Sequence, residues 1–151
     1  MRKITLLAIL AASAWMAGCS TYKPSTGTGP GFSEMQVDAN VYRVSFRGDG
    51  ATKPDQAEEM ALLRCAEVMA EKGFPFFVIQ SGQAFASTKN FTNPMHVKVR
   101  ENKATVTGGN SVTVNIPSVV KTIVGLNERP AAGFAYNTQQ IISSLGPKYR
   151  K

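Results

Sequence analysis

The sequence has few of the residues from which most metal and catalytic sites are built. Its 151 residues contain only two cysteines, Cys19 and Cys65, and one histidine, His96. Zinc sites need closely spaced His, Cys or carboxylate ligands, and no such cluster occurs. The glycine-rich run 27–31 lacks the Lys-Ser/Thr pair of a phosphate-binding loop. We therefore expect no metal and no cofactor, and the apolar pattern around Cys65 favours a buried thiol over a catalytic Cys–His pair.

The chain also lacks an apolar run long enough to cross a bilayer, which takes about 20 residues. The segment from Ile4 to Ala14 is apolar except for Thr5 and Ser13, and the positive Arg2 and Lys3 precede it. Small residues follow up to Cys19. A charged start, a short apolar core and small residues are typical of a secretory signal peptide. We predict that residues 1–18 form this signal.

The stretch Trp15-Met16-Ala17-Gly18-Cys19 resembles the bacterial lipoprotein box, in which leucine usually stands at the position of Met16. The resemblance implies cleavage between Gly18 and Cys19, a diacylglyceryl thioether on the Cys19 sulfur and an acylated amino group. A single acyl chain binds membranes only reversibly, whereas two or three chains hold a protein there stably. The alternatives are an ordinary secretory signal with a coincidental cysteine, and a transmembrane anchor.

Ser20, rather than aspartate, follows the lipidated cysteine. In the enterobacterial sorting pattern this favours the outer membrane, so we predict a lipid-anchored protein there that faces the periplasm. The periplasmic face of the inner membrane is the alternative. Export excludes nucleic acid as a partner despite the sequence pI of about 9.7. With Cys19 lipidated, Cys65 has no cysteine left for an intramolecular disulfide.

The mature chain is predicted to contain a tether and one domain. Loss of Arg2 and Lys3 with the signal lowers the formal charge from +7 to +5. Residues 19–33 carry the lipidated cysteine and are rich in Ser, Thr, Gly and Pro, a composition that favours a flexible tether. Residues 34–151 are enough for a single domain with its own core.

Hydrophobic periodicity predicts a strand and then a long helix. Tyr42, Val44 and Phe46 alternate with polar residues between Val41 and Gly48, as in a strand with one buried face. Thr52 is the predicted helix N-cap, and Gly73 ends the helix after about Lys72. The apolar stripe of this helix comprises Ala57, Met60, Ala61, Leu62, Leu63, Cys65, Ala66 and Met69.

The remaining pattern predicts further strands and a short final helix. Phe74–Ile79 is an apolar strand and Gln80–Asn93 an irregular loop, after which Met95–Arg100 alternates again. Strands over 104–107 and 111–116 flank Gly108-Gly109-Asn110 as a hairpin. Val119–Val124 is another strand. Asn137 caps the last helix, which Gly146-Pro147 ends.

This order predicts an α+β fold: one long helix and a short C-terminal helix on one face of a mainly antiparallel sheet of about five strands. A strand–helix–strand opening would allow the first two strands to be parallel, giving a mixed sheet.

Three blocks, GFSEMQVDANVYRVSFRGDG, LLRCAEVMAEKGFPFFVI and YNTQQIISSLGPK, are similar to a group of small proteobacterial lipoproteins of unknown function. The shared pattern is Tyr-x-Val-x-Phe-x-Gly followed by Leu-Leu-Arg-x-Ala-Glu. Asn137 and Thr138 replace the usual Asp and Ala of the third block, which affects helix capping. The resemblance implies a lipoprotein with this domain and assigns no activity.

The charged residues suggest two candidate sites. Arg64 and Glu67 are three residues apart in the long helix, so they are either an ion pair at the rim of the core or an acid–base pair. Arg43 and Arg47 share a face of the first strand, and Lys98 and Arg100 share a face of another. If both strands lie in one sheet, these four cations form a candidate anion-contact face. Otherwise they are solvated strand charges.

The leading functional hypothesis is a non-enzymatic, membrane-anchored envelope lipoprotein, a binding or structural module that contacts an envelope protein or an anionic envelope polymer. The alternatives are an envelope stress sensor or accessory subunit of a membrane complex, and a cell-envelope hydrolase that would depend on Glu67.

Cys19→Ala should abolish fatty-acid incorporation and either release the protein from membranes or leave an unprocessed precursor, because no thiol remains for the acyl group. Metabolic labelling with a fatty acid measures this. The control Cys65→Ala should keep the label, and a label that persists in Cys19→Ala would contradict the prediction.

Overall fold

A computed structural model describes residues 21–100 and 103–150, so Gly18, Cys19 and the predicted signal lie outside the described part. The elements are β1 Gly31–Asp38, β2 Val41–Arg47, α1 Pro54–Glu71, β3 Phe76–Thr92, β4 His96–Arg100, β5 Lys103–Thr107, β6 Ser111–Leu126, β7 Tyr136–Asn137 and α2 Thr138–Tyr149. The predicted α+β class is confirmed: a long and a short helix pack against a five-stranded antiparallel sheet.

The main sheet has the order β1-β2-β6-β3-β7, and every pair of its strands is antiparallel. Strands β2 and β3 run in the same direction, but β6 lies between them. The connection through α1 therefore joins two strands that are not neighbours in the sheet. No parallel pair results, so the sheet is not mixed. Strands β4 and β5 pair only with each other, in a separate two-stranded sheet.

The core lies between α1 and the face of the sheet formed by alternate residues of β2 and β6. Val44 and Phe46 of β2 and Ile123 of β6 are at most 1% exposed. Leu63 of α1 is fully buried beside Phe46, and α2 adds Tyr149 to the same cluster. Burying a side chain of this size stabilises a fold by roughly 1.5–3 kcal/mol. The predicted inward face of the first strand is confirmed.

The predicted cap of α1 is displaced by one residue. Thr52 does not cap the helix; its hydroxyl donates to Asp49 Oδ1 over 2.8 Å. The N-cap is Lys53, whose backbone N–H donates to Gln56 Oε1 over 3.0 Å. The reason is Pro54, which suits the first helical position and so places the cap directly before it. Gly73, at φ +83°, follows the helix end as predicted.

Helix α2 begins as predicted and ends later. Asn137 Oδ1 accepts a hydrogen bond from Gln140 N over 3.0 Å. The helix continues through Pro147 to Tyr149, although the proline has no backbone N–H to donate to the preceding turn. Among the described residues, neither helix is long and apolar enough to cross a membrane.

The middle of the chain differs most from the prediction. Residues 80–92 are not a loop but the continuation of β3, which pairs with β6 as far as Thr92 opposite Ser111. The two strands predicted over 111–116 and 119–124 are one strand, β6. The predicted hairpin across Gly108-Gly109-Asn110 is wrong, since β5 pairs with β4. The preference of a residue for a strand depends on its cross-strand neighbours. Polar residues such as Thr88 and Asn90 are paired with residues of β6, so this polar segment forms a strand.

Beyond the part of β6 that pairs with β2, residues 86–117 extend from the body as a β-arm. The arm combines the outer parts of β3 and β6 with the β4–β5 sheet. Asn93 N donates to Asn110 O over 3.0 Å where the two parts meet. Five large apolar side chains of the arm are more than half exposed: Phe91, Met95, Val97, Val106 and Val112.

The prediction of a flexible tether up to residue 33 is wrong for residues 21–33. The Tyr22 ring lies 5.1 Å from the Phe32 ring, and its hydroxyl donates to Glu67 over 2.5 Å. Ser25 N donates to Phe32 O and Phe32 N to Lys23 O, both over 2.8 Å. The average composition is that of a linker, but two aromatic residues flank the Gly/Pro run and fold it onto the domain.

Phe46→Ala should lower the free energy of unfolding by about 3–5 kcal/mol, because it leaves a cavity between α1 and the sheet. The matched control Phe91→Ala removes the same atoms from a side chain that is 58% exposed, and should change stability by less than about 1 kcal/mol. Urea unfolding measures both. Equal losses would mean that the core is misplaced.

Candidate functional site

On the face of the main sheet opposite the helices, one row of cross-strand neighbours crosses four strands. Gly31, Arg47, Ser118 and Phe85 are successive cross-strand partners in β1, β2, β6 and β3. Directly opposed residues in antiparallel strands point to the same side of the sheet. The outward side chains of Arg47, Ser118 and Phe85 are therefore neighbours.

A second row lies directly beside the first. Ser33, Ser45, Val120 and Gln83 are paired across the same four strands. The residues of this face and the turn before β1 line a cleft of about 250 Å³. We call it the Arg47 cleft. Its lining comprises Ser25, Gly27, Thr28, Gly29, Gly31, Ser33, Ser45, Phe46, Arg47, Phe85, Ser118 and Val120.

The turn that covers one side of the cleft depends on Gly31. This residue has φ +133°, and a Cβ there would lie 2.3 Å from Lys23 O. Only glycine accommodates both the conformation and this close approach. The close approach of Gly31 to Lys23 O places the turn, with Ser25 and Thr28, beside the face of the sheet.

Several hydroxyl groups in the Arg47 cleft have no hydrogen-bond partner within the described chain. Ser118 is 7% exposed and makes none, although it lines the cleft. Thr28, Ser33 and Ser45 likewise make none, whereas Ser25 donates to Gly29 O over 2.9 Å. Among the described residues, the one fully buried side-chain oxygen without a partner is Ser87 Oγ, so the Ser118 hydroxyl oxygen is accessible from the cleft. Ser118 therefore presents hydrogen-bonding capacity that only water or a ligand can satisfy.

Arg47 is the cation of the cleft and forms no ion pair with the described residues. Other partly buried cations are paired: Arg64 Nη2 lies 2.8 Å from Glu34 Oε1, and Lys121 Nζ lies 2.7 Å from Glu58 Oε2. The side chain of Arg47 therefore keeps its charge-assisted donors for a ligand.

A second cavity of about 350 Å³ adjoins the Arg47 cleft, with which it shares Thr28, Gly29 and Arg47. Its far side is lined by Lys89 and Phe91 of the β-arm. The one carboxylate in its lining, Asp49, accepts hydrogen bonds from Ala51 N over 2.9 Å and from Thr52 Oγ1. The two cavities thus form one groove with Arg47 at its middle.

The predicted anion-contact face is only half assembled. Arg43 and Arg47 are four residues apart on the outward face of β2, with Ser45 between them, and Arg43 is exposed. Lys98 and Arg100 lie in β4, which belongs to the other sheet, so the premise of one shared sheet is wrong. The chain leaves the main sheet at residues 93–95, where β3 ends. Lys98 is exposed on the β-arm, and the side chain of Arg100 lies outside the described part.

The predicted Arg64–Glu67 ion pair is present, with Nη1 3.1 Å from Oε2, and belongs to a larger network. Arg64 also contacts Glu34 and Glu71, and its guanidinium lies 4.5 Å from the centre of the Phe32 ring. Glu67 is 7% exposed. Its Oε2 also accepts from the Tyr22 hydroxyl, and its Oε1 accepts from Arg150 Nε over 2.7 Å. Both oxygens of Glu67 are thus occupied.

Burial makes two ionisable side chains less reactive by raising their pKa values. Burial and the hydrogen bond to Glu67 raise the pKa of Tyr22, so its phenol stays protonated. Burial raises the pKa of the Cys65 thiol to about 12. Since the thiolate is the nucleophile, Cys65 acts as a buried apolar side chain. His96 is exposed on β4, in the other sheet.

Comparison with known proteins returned no match: no family model, no curated protein and no solved structure is similar to this chain.

Sequence reasoning identified Arg43 and Arg47 but missed the hydroxyl residues of the cleft. Ser45 alternates with these arginines in β2 and was visible as part of the polar face. Ser118 and Phe85 carry no such signal, because they become neighbours of Arg47 only through strand pairing.

Tyr22→Phe should lower the free energy of unfolding by roughly 1.5–3 kcal/mol at pH 8, because it removes a hydrogen bond to a carboxylate. The folded-state pKa of Tyr22 is raised above the ordinary value of about 10. The stabilisation is therefore complete below pH 10 and is lost as the pH rises towards the folded-state value.

Denaturant unfolding of Tyr22→Phe and the unsubstituted protein between pH 8 and pH 11 measures this, and the difference should shrink above pH 10. Tyr42→Phe is the control, because Tyr42 is buried and its hydroxyl forms no hydrogen bond with the described residues. Equal losses in the two variants would contradict the assigned role of Tyr22.

Proposed function

We propose that this protein is a bacterial envelope lipoprotein, anchored through lipid on Cys19 and facing the periplasm from the outer membrane. The periplasmic face of the inner membrane is the alternative location. Its domain is a non-enzymatic binding module, and its partner is an anionic envelope polymer. The observation that carries the binding role is Arg47, a guanidinium without an ion pair to any described residue, beside hydroxyl groups that have no partner in the same part of the chain.

The Glu67 network supports binding over catalysis. A general acid or base needs a carboxylate that can reach the substrate and exchange a proton. Both Glu67 oxygens are occupied by Arg64, Arg150 and Tyr22. The network joins α1 to the chain start and to the end of α2, which is a structural role.

The start of the described chain supports action close to the membrane. Thr21 Oγ1 lies 3.9 Å from Met60 Sδ, and Tyr22 is bound to Glu67. Thr21 is two residues after Cys19, and an extended chain spans at most about 3.6 Å per residue. A domain anchored through Cys19 would therefore stay within roughly 10 Å of its lipid attachment. Peptidoglycan carboxylates lie on the periplasmic side of the membrane, where such a domain would be held.

The β-arm favours a second candidate, an accessory subunit of a membrane complex. Monomeric proteins rarely expose large contiguous apolar patches. Phe91, Met95 and Val97 are each more than half exposed along one arm, as expected of a protein-contacting element. Crosslinking of intact membranes followed by purification of the protein distinguishes the two functions, because a subunit should recover one stoichiometric protein partner.

The mature protein in detergent micelles should sediment with purified peptidoglycan at low salt, and the binding should weaken as salt screens the charges. Replacing Arg43 and Arg47 by Ser should remove most of the binding, because both cations lie on the outward face of the main sheet.

The matched control replaces Lys98 and Arg100 by Ser, which removes the same charge from the β-arm. It should leave most of the binding intact. No sedimentation at low salt, or equal losses in the two double variants, would overturn the binding role of this face.

A further inference from the structure

We propose that the Arg47 cleft is a binding site for a sugar that carries a carboxylate or a phosphate, within an anionic glycan chain. This inference rests on the proposed function and names the ligand class of its binding site. Three kinds of group line the cleft, each suited to one part of such a ligand: the Arg47 guanidinium, the serine and threonine hydroxyls, and the Phe85 ring.

The guanidinium selects the charge of the ligand. Arginine forms a planar fork that matches carboxylate and phosphate oxygens with paired hydrogen bonds. Arg47 is partly buried in the lining of the cleft and forms no ion pair with the described residues. No carboxylate residue lines the cleft, so an anion entering it meets no like charge there.

The hydroxyl groups select a polyol. Ser118 is 93% buried, unpartnered among the described residues, and lies directly between Arg47 and Phe85 in the cross-strand row. Thr28, Ser33 and Ser45 add hydroxyls that form no hydrogen bond within residues 21–100 and 103–150. Hydroxyl groups both donate and accept, and so do the hydroxyls of a sugar ring. An apolar ligand would leave Ser118 unsatisfied at a cost.

The aromatic ring supplies the apolar contact. Phe85 is 54% exposed although it lines the cleft, so much of its surface is open to a ligand. The C–H groups of a sugar ring can cover this surface and remove it from water. Phe91 has the same outward orientation in β3 and lines the adjoining cavity.

The dimensions favour a short stretch of glycan. Cavities for drug-sized ligands measure roughly 300–1,000 Å³, so a cleft of about 250 Å³ suits a single ring. The adjoining cavity of about 350 Å³ continues past Arg47 to Lys89. The groove therefore suits two linked units, with Arg47 at its middle and Lys89 at its end. The one carboxylate in its lining, Asp49, already accepts hydrogen bonds from Ala51 N and Thr52 Oγ1.

A peptide ligand fits the cleft less well. Peptides that bind sheets add a strand to a free edge, but the cleft lies on the face of strands that are already paired through Arg47, Ser118 and Phe85. The free edges lie along β1, beyond the part that residues 23–25 cover, and along the β-arm. A strand added at either edge would not use the Arg47 guanidinium or the Ser118 hydroxyl, which lie on the face of the sheet.

The test is calorimetric titration of the full mature protein in detergent micelles with digalacturonate, glucose 6-phosphate and maltose. We expect at least one of the charged sugars to bind, and maltose to bind about tenfold or more weakly because it has no charge for Arg47. The two charged probes distinguish a carboxylate from a phosphate as the recognised group. Failure of both to bind at millimolar concentration, or equal binding of maltose, would overturn the proposal.

The variants locate the site. Arg47→Gln should weaken binding of the charged sugar about tenfold or more, and Ser118→Ala by about threefold to tenfold, for loss of one hydrogen-bonding group. Ser118→Ala removes no hydrogen bond to the described residues, so its melting temperature should not fall. Lys98→Gln is the control, because Lys98 is an exposed cation of the β-arm outside the cleft lining, and it should change affinity less than about twofold. Equal losses in Lys98→Gln and Arg47→Gln would overturn a defined site.

The proposed function and this inference can fail separately. In one outcome, polymer sedimentation depends on Arg43 and Arg47 but is unaffected by Ser118→Ala, and no sugar binds in the titration. This outcome would support the binding module and overturn the sugar site. Sugar binding in a protein that takes up no fatty acid would support the site and overturn the lipid anchor.

Discussion

Strand β6 is the constraint on which both the core and the cleft depend. It pairs with β2 on one side and with β3 on the other, and its alternate residues point to opposite faces. Val119 is 1% exposed in the core beneath α1, while its neighbour Ser118 faces the cleft. A shift of one residue in this pairing would exchange the two faces. Packing of α1 on β6 therefore fixes the register that places Ser118 beside Arg47.

The distribution of charge separates the two sides of the domain. On the helix side, carboxylates match the cations: Glu67 holds Arg64 and Arg150, and Glu58 holds Lys121. Such pairs satisfy partly buried charges and fasten elements together, so they leave little for a ligand. On the opposite side Arg47 has no carboxylate partner among the described residues. The difference favours a structural role for the paired cations on the helix side and a binding role for Arg47.

The segment before β1 connects the predicted anchor to this arrangement. Tyr22 holds the chain start on α1 through Glu67, and the turn that follows reaches the other face of the sheet to border the cleft. The same few residues thus limit the distance from Cys19 and shape the proposed binding site. The average composition of this segment is typical of a linker, so it does not reveal the contacts that Tyr22 and Phe32 make with the domain.

The sequence by itself determined the features that depend on local order: the alternation of Tyr42, Val44 and Phe46, the apolar stripe of α1 and its end before Gly73, and the Asn137 cap. The segment that resembles a lipoprotein signal lies outside the described residues and stays a prediction. Only the tertiary structure decided the length of β3, the partner of β5 and the cleft around Arg47. These features depend on which strands pair, and pairing joins residues as distant as Arg47 and Ser118. Local periodicity contains no information about such partners, because a strand's preference is set by its cross-strand neighbours.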